Sequence, residues 1–168
     1  MREAHLTIDC SALLHNLQQV KHAAPDSKVL AMVKANAYGH GTVLAAQTLA
    51  PHVDALGVAF LAEALALRTA GITTPIAVLE GVFSADELEQ ALAHDCYLVV
   101  HQQQQIDLLR HYHGGKKTSV WLKIDSGMHR LGFSPDNVVD AYRQLRALSA
   151  VDDIIMTSHF ACADEPAS

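Results

Sequence analysis

Lys34 stands where the apolar run from Lys28 to Val33 stops and the segment Ala35-Asn36-Ala37-Tyr38-Gly39-His40-Gly41 begins. The run is short and partly β-branched, which predicts a buried strand rather than a helix. A lysine at such an edge is partly desolvated, so its neutral amine is easier to reach and can attack an aldehyde to form a Schiff base. Gly39 and Gly41 let the backbone come close to a ligand and adopt positive φ. Without such surroundings, a strand-terminal lysine more often extends its ammonium to water.

Two later segments carry further groups of this kind. Leu122 to Phe133 places Lys123 inside an apolar strand and Arg130 within Gly127-Met128-His129-Arg130-Leu131-Gly132. Lys123 is costly to bury as a cation, and the planar guanidinium of Arg130 can meet a carboxylate with two parallel hydrogen bonds. Thr157 to Glu165 puts His159 directly after another apolar run, with Asp164 and Glu165 as solvated loop charges. Tyr38 offers an apolar body with a polar tip. The densest histidine pair, His111-Tyr112-His113, has no carboxylate or cysteine at ligand spacing. No metal site is expected there; a helix C-terminus, where a partly cationic imidazole suits the dipole, is.

The elements that must position these groups alternate. A helix is expected from Ser11 to Ala23, capped by Asp9 or Ser11. Strands are expected near Val29 to Val33, Ala55 to Ala59, Ile76 to Leu79, Tyr97 to Val100, Val120 to Ile124 and Ile154 to Ser158. Between them, Thr42 to Ala50, Leu61 to Ala70, Ser84 to His94, Gln102 to Tyr112 and Pro135 to Leu148 carry apolar residues at helical spacing. A strand returning after each helix demands a mostly parallel sheet, either doubly wound or closed as a (β/α)8 barrel. The three reactive segments all fall at strand C-terminal ends, on the first, fifth and sixth strands, and a barrel gathers those ends around one mouth, which favours the barrel.

The bulk composition excludes several classes. Half of the 168 residues are apolar and 18% are charged, which argues for one folded domain and against disorder. The net charge is −6 with scattered Lys and Arg, so no nucleic-acid footprint is expected. Cys10, Cys96 and Cys162 lack metal-ligand spacing; they suit buried thiols in a reducing cytosol. The first five residues have no apolar signal core, and Asp54 and Glu63 interrupt the longest hydrophobic stretch, so neither secretion nor membrane spanning is expected.

The wording Val33-Lys34-Ala35-Asn36-Ala37-Tyr38-Gly39-His40-Gly41 resembles the cofactor-lysine signature of bacterial alanine racemases, the fold-type III pyridoxal 5'-phosphate enzymes. The Leu122 to Phe133 and Thr157 to Glu165 segments resemble the same family in order and spacing, and the resemblance runs from Ile8-Asp9 to Glu165. It implies a (β/α)8 barrel and interconversion of L-alanine and D-alanine, supplying D-alanine for peptidoglycan in the cytoplasm of a homodimeric enzyme. It makes Lys34 both the covalent cofactor lysine and the catalytic base on the D-alanine face. It gives Tyr38 the cofactor phosphate, Arg130 the substrate carboxylate and the cofactor's phenolic oxygen, and His159 a place beside the pyridine ring. Lys123 matches a lysine that the family often carbamylates to orient the arginine, with an ion pair to Asp125 as the alternative.

About six of eight βα units fit into this length, so the resemblance implies that residues 1–168 are the N-terminal, pyridoxal-phosphate-binding barrel part of a longer racemase. The last two units, a C-terminal β domain and a second base, a tyrosine from the partner subunit, would lie elsewhere. The piece alone is then expected to be inactive. A racemase acting on serine, or a non-enzymatic pyridoxal-phosphate carrier of the same barrel type, would share the lysine. The carrier group lacks the Ala35 to Gly41 continuation.

Overall fold

The computed structural model describes residues 3–165. Its strands are β1 (Leu30–Met32), β2 (Ala55–Val58), β3 (Ile76–Val78), β4 (Cys96–Val100), β5 (Thr118–Lys123) and β6 (Val151–Thr157). They form one sheet in sequential order, β1 to β6, and every neighbouring pair is parallel. Consecutive parallel neighbours each need a crossover, and a helix supplies it: α2 (Thr42–Leu49), α3 (Leu61–Thr69), α4 (Ala85–Ala93), α5 (Gln103–Arg110) and α6 (Pro135–Arg146). This is the winding of a (β/α)8 barrel, seen among the described residues as six strands and the five helices that connect them.

A helix before the sheet, α1 (Cys10–Ala23), packs on α2. Asp9 caps it: its Oδ1 accepts from the N–H groups of Ser11 at 2.8 Å and Ala12 at 3.2 Å, while Ser11 donates its hydroxyl to the same oxygen. Of the two expected caps, Asp9 is the one used. At α4 the Ser84 hydroxyl accepts from Glu87 N, and α6 starts on Pro135, whose missing N–H costs nothing at a helix start.

The period of two along each strand divides the side chains between two layers. Leu56, Val58, Ile76, Val78, Leu98, Val120 and Leu122 are buried in the cluster that joins the strands to the helices. The alternate set, Leu30, Met32, Leu79, Val99, Trp121 and Lys123, turns inward and lines a pocket. Gly57 belongs to that inner set, paired with Met32, and a Cβ there would stand 2.6 Å from the Met32 sulfur.

Strand limits differ from the sequence expectation at β5 and β6, which begin earlier, at Thr118 and Val151, and end one residue sooner. The cause is pairing: Thr118 faces Val151 across a bulge between Thr118 and Val120, so ladder hydrogen bonds rather than side-chain apolarity set the start. Cys96 is buried, Cys10 half-buried and Cys162 exposed, so the expectation of burial holds for Cys96 alone. Among the described residues no helix is long and apolar enough to cross a membrane.

Candidate active site

Directly after β1 the chain enters a left-handed helical turn. Ala35, Asn36, Ala37 and Tyr38 have φ of 51°, 56°, 49° and 52°. For residues with a Cβ this conformation costs about 1–2 kcal/mol each, so other contacts must hold it. The structure supplies them from several sides. Ala37 N donates to Val33 O at 3.1 Å, and Gly39 N and Gly41 N both donate to Asn36 O at 3.0 Å. Asn36 Oδ1 accepts from Thr42 N at 3.2 Å, and the Thr42 hydroxyl donates to Val33 O at 3.1 Å. His40, given no role in the sequence, sets its Nδ1 2.8 Å from Ala37 O. Gly39 (φ 97°) then ends the turn in a conformation that suits glycine.

The turn leaves Lys34 in phase with Leu30 and Met32, on the inner side of the strands. There a cavity of 330 Å³ is lined by Lys34, Tyr38, Lys123, Arg130 and His159 together. All five residues singled out in the sequence therefore meet, although Lys34 and His159 lie at opposite ends of the chain. Arg130 arrives through a loop tied by Asp125. Its Oδ1 accepts from Gly127 N and His129 N, each at 3.0 Å, and its Oδ2 lies 3.3 Å from His129 Nδ1. Those donors hold the Asp125 carboxyl below its ordinary value of 3.8, the His129 and Gly127 amides first. Asp125 is thus tied into its own loop. Ser126 and Ser158 share a 2.6 Å hydrogen bond and join this loop to the segment that carries His159.

Lys123 is half-buried, and its pKa is lowered, first by burial and then by the Arg130 cation, with Lys34 adding to the effect against the opposing carboxylates Glu80 and Asp125. Its neutral amine is accordingly more available than that of a surface lysine. Glu80 and Trp121 were not expected at the site, yet both line the cavity. Glu80 reaches it from the end of β3, and the sequence offered no signal beyond a strand-terminal carboxylate. Trp121 is one inward step before Lys123 on β5, so the period of two could have marked it. Its indole Nε1 is buried and has no hydrogen-bond partner among the described residues. An orphaned donor beside three cations and one carboxylate fits a ligand that brings anionic or accepting groups.

A larger groove of 730 Å³ lies on the outer wall between α4 and α5. Of its polar lining, Asp107 pairs with Arg110, and His111 Nδ1 sits 2.7 Å from Asp107 O at the end of α5, the helix C-terminus expected for this histidine. Among the described residues no three His, Cys, Asp or Glu side chains gather to hold a metal ion.

An amine and a guanidinium stand together at the C-terminal ends of parallel strands, the end at which barrel proteins of this class build their sites. Residues 8–168 match the family model "Alanine racemase, N-terminal domain", and the chain belongs to that family. It is 49% identical to the alanine racemase of Azoarcus sp. over 168 residues, 99% of this chain and 47% of the relative. It is 46% identical to the catabolic alanine racemase of Pseudomonas aeruginosa over 98% of this chain and 46% of that one. Among solved structures, the biosynthetic alanine racemase of Pseudomonas aeruginosa superposes with a TM-score of 0.88 at 39% identity, covering 94% of this chain and 44% of that chain. That of Acinetobacter baumannii gives 0.88 at 40%, covering 98% and 46%. The chain spans under half the length of these relatives.

Proposed function

We propose that this chain is the cofactor-binding barrel part of an alanine racemase, which interconverts L-alanine and D-alanine and supplies D-alanine for peptidoglycan. The observation that carries this is the single cavity lined by Lys34, Tyr38, Lys123, Arg130 and His159. Pyridoxal 5'-phosphate would supply an aldehyde for covalent capture and a ring that takes up the charge left when the substrate Cα loses its proton. The residues fit it: an amine for the aldehyde, a phenol and cations for phosphate and phenolic oxygen, and an unpartnered indole donor.

Lys34 would hold the cofactor through Nζ, and the same nitrogen would take and return the substrate Cα proton on one face. Tyr38 would hold the phosphate by its hydroxyl, Arg130 would align the substrate carboxylate, and His159 would flank the ring. The neutral Lys123 amine adds to carbon dioxide, forming an N–C bond and releasing a proton, and the resulting anion steadies Arg130. Its lowered pKa supports this step. Continuous electron density beyond the Lys123 nitrogen is expected, and a bare ammonium there would refute carbamylation.

Racemisation needs a second base on the opposite face. The family resemblance assigns it to a tyrosine of the partner subunit in a cytoplasmic homodimer, so this polypeptide alone is expected to bind the cofactor weakly and to racemise no alanine. The test is incubation with pyridoxal 5'-phosphate, borohydride reduction and peptide mapping. Label on the Lys34 peptide is expected; label spread evenly over the lysines would overturn the assignment.

A further inference from the structure

Three βα units of this molecule use one device with different chemistry. In each, a side chain in the first turn of the helix reaches four residues back to a backbone N–H. Glu63 Oε2 accepts from Ala59 N at 2.7 Å and also from Phe60 N at 3.1 Å. Glu87 Oε2 accepts from Phe83 N at 2.7 Å, and Gln105 Oε1 accepts from His101 N at 2.9 Å. Each bond satisfies an amide that the start of a helix leaves without a partner.

Two of the three side chains also reach the loop of the preceding unit with their other polar atom, and what that loop offers decides the residue type. Gln105 Nε2 meets a carbonyl, Glu80 O at 2.8 Å, so an amide with one acceptor and one donor fits. Glu63 Oε1 meets an N–H, that of Ala35 at 2.7 Å, so both of its oxygens face only donors. Only a carboxylate satisfies that arrangement. Ala35 is the residue after Lys34 and the first with left-handed φ, at 51°. Its amide therefore fixes where the turn begins and which way the Lys34 side chain leaves the backbone.

We propose that Glu63 is a positioning residue for Lys34: through the Ala35 amide its carboxylate locks the entrance of the left-handed turn and so directs the Lys34 amine into the cavity. The proposal deepens the function given above and rests on it for the labelling measurement below. The amide-exchange measurement stands without it.

The test uses the whole chain, unsubstituted and as Glu63→Gln, with Gln105→Glu as the control. In Glu63→Gln an NH₂ group must face Ala35 N–H or the amides of Ala59 and Phe60. In Gln105→Glu a carboxylate must face the Glu80 carbonyl, so both variants lose thermal stability. Hydrogen exchange at the Ala35 amide and the rate of borohydride-fixed pyridoxal 5'-phosphate labelling at Lys34 are measured for each. A hydrogen bond to a charged group is worth enough that Glu63→Gln is expected to speed Ala35 exchange and slow Lys34 labelling by about tenfold or more. Gln105→Glu is expected to leave Ala35 exchange within about twofold, because its unit does not touch the turn, so exchange at Ala35 is the readout that separates the two variants.

Unchanged labelling and exchange in Glu63→Gln, or equal losses in the two variants, would overturn the proposal by reducing Glu63 to general structural support. Should Glu63→Gln not fold, the unsubstituted chain decides: slow exchange at Ala35 supports the tie, and exchange at the unstructured-peptide rate sinks it. If the unsubstituted chain takes no label at Lys34, the cofactor function fails, and Ala35 exchange still judges Glu63.

Discussion

Glu63 and Arg68 sit at opposite ends of one helix, α3, and staple opposite ends of the barrel with opposite charges. At the end where strands finish, Glu63 collects the N–H groups of Ala35, Ala59 and Phe60. At the end where strands begin, Arg68 donates to the carbonyls of Ile72 and Thr74, each at 2.8 Å, and of His94 at 3.0 Å. A parallel barrel makes this division unavoidable, since all helices start at one end and leave N–H groups there, and all finish at the other and leave carbonyls. The backbone differs in the same way. At the lower end, left-handed residues come singly, at Gly71, Asp95 and Gly115; at the upper end Ala35 to Gly39 form a run of five. The lower loops only turn the chain, whereas the upper ones hold a costly conformation for the sake of a side chain.

The largest expected effect separates the two ends outright. Lys34→Ala should abolish covalent capture of pyridoxal 5'-phosphate while shifting stability by no more than about 0.5 kcal/mol, because Lys34 is a half-buried mouth residue outside the core. Arg68→Ala should do the reverse. It strips several carbonyls of a charged donor and is expected to cost about 2–3 kcal/mol in urea unfolding, with Lys34 labelling unchanged. Impaired labelling in Arg68→Ala would mean that the two ends are coupled.

How far this division was legible in the sequence follows from what each feature depends on. Strands and helices were legible because their periods are local: Leu56 and Val58, or Leu88 and Leu92, report their face by spacing alone. Lys34, Lys123, Arg130 and His159 were legible through the family resemblance of their segments, since each residue type at a strand end is by itself more often structural. Neither staple was, because each also bonds to a backbone group far off in sequence, 28 residues for Glu63 and 26 for Arg68, and no local pattern tells which distant group will lack a partner. The left-handed run was hidden for a related reason. Ala-Asn-Ala-Tyr contains no glycine, so local preference argues against the conformation that the surrounding hydrogen bonds impose.

Two glycines measure the same contrast on a smaller scale. Gly71 at the lower end has φ 84° with nothing within 4 Å of an added Cβ, so Gly71→Ala should cost only the backbone term, about 1 kcal/mol. Gly81 at the upper end has φ 69°, and its Cβ would collide with Gln105 Nε2 and the Val99 carbonyl oxygen. Because a backbone oxygen cannot swing aside, Gly81→Ala should cost about 2–4 kcal/mol on the same scale and disturb the Glu80 carbonyl that Gln105 holds. Equal costs by thermal unfolding would mean that the upper loops are no tighter than the lower ones.

Acid should sharpen the comparison with the smallest effect, because the upper loop that carries Arg130 is tied by the Asp125 carboxylate, whereas the lower end is tied by the Arg68 guanidinium. For Asp125 the sign is set by its depressed pKa. The His129 and Gly127 amides stabilise its charged form in the folded chain, so its contribution is complete above the unfolded value near 3.8 and is lost as pH falls through the lower folded value. Below about pH 3.8, hydrogen exchange corrected for the intrinsic rate should therefore speed up at the His129 and Gly127 amides. The carbonyl-bound Arg68 end should still be intact at that point, with the Ile72 amide, bonded to Leu67 O at 3.0 Å, retaining its protection. Loss of protection at both ends together would show that the Asp125 loop does not loosen on its own, and that the strand ends carrying Arg130 share one cooperative unit with the base of the barrel.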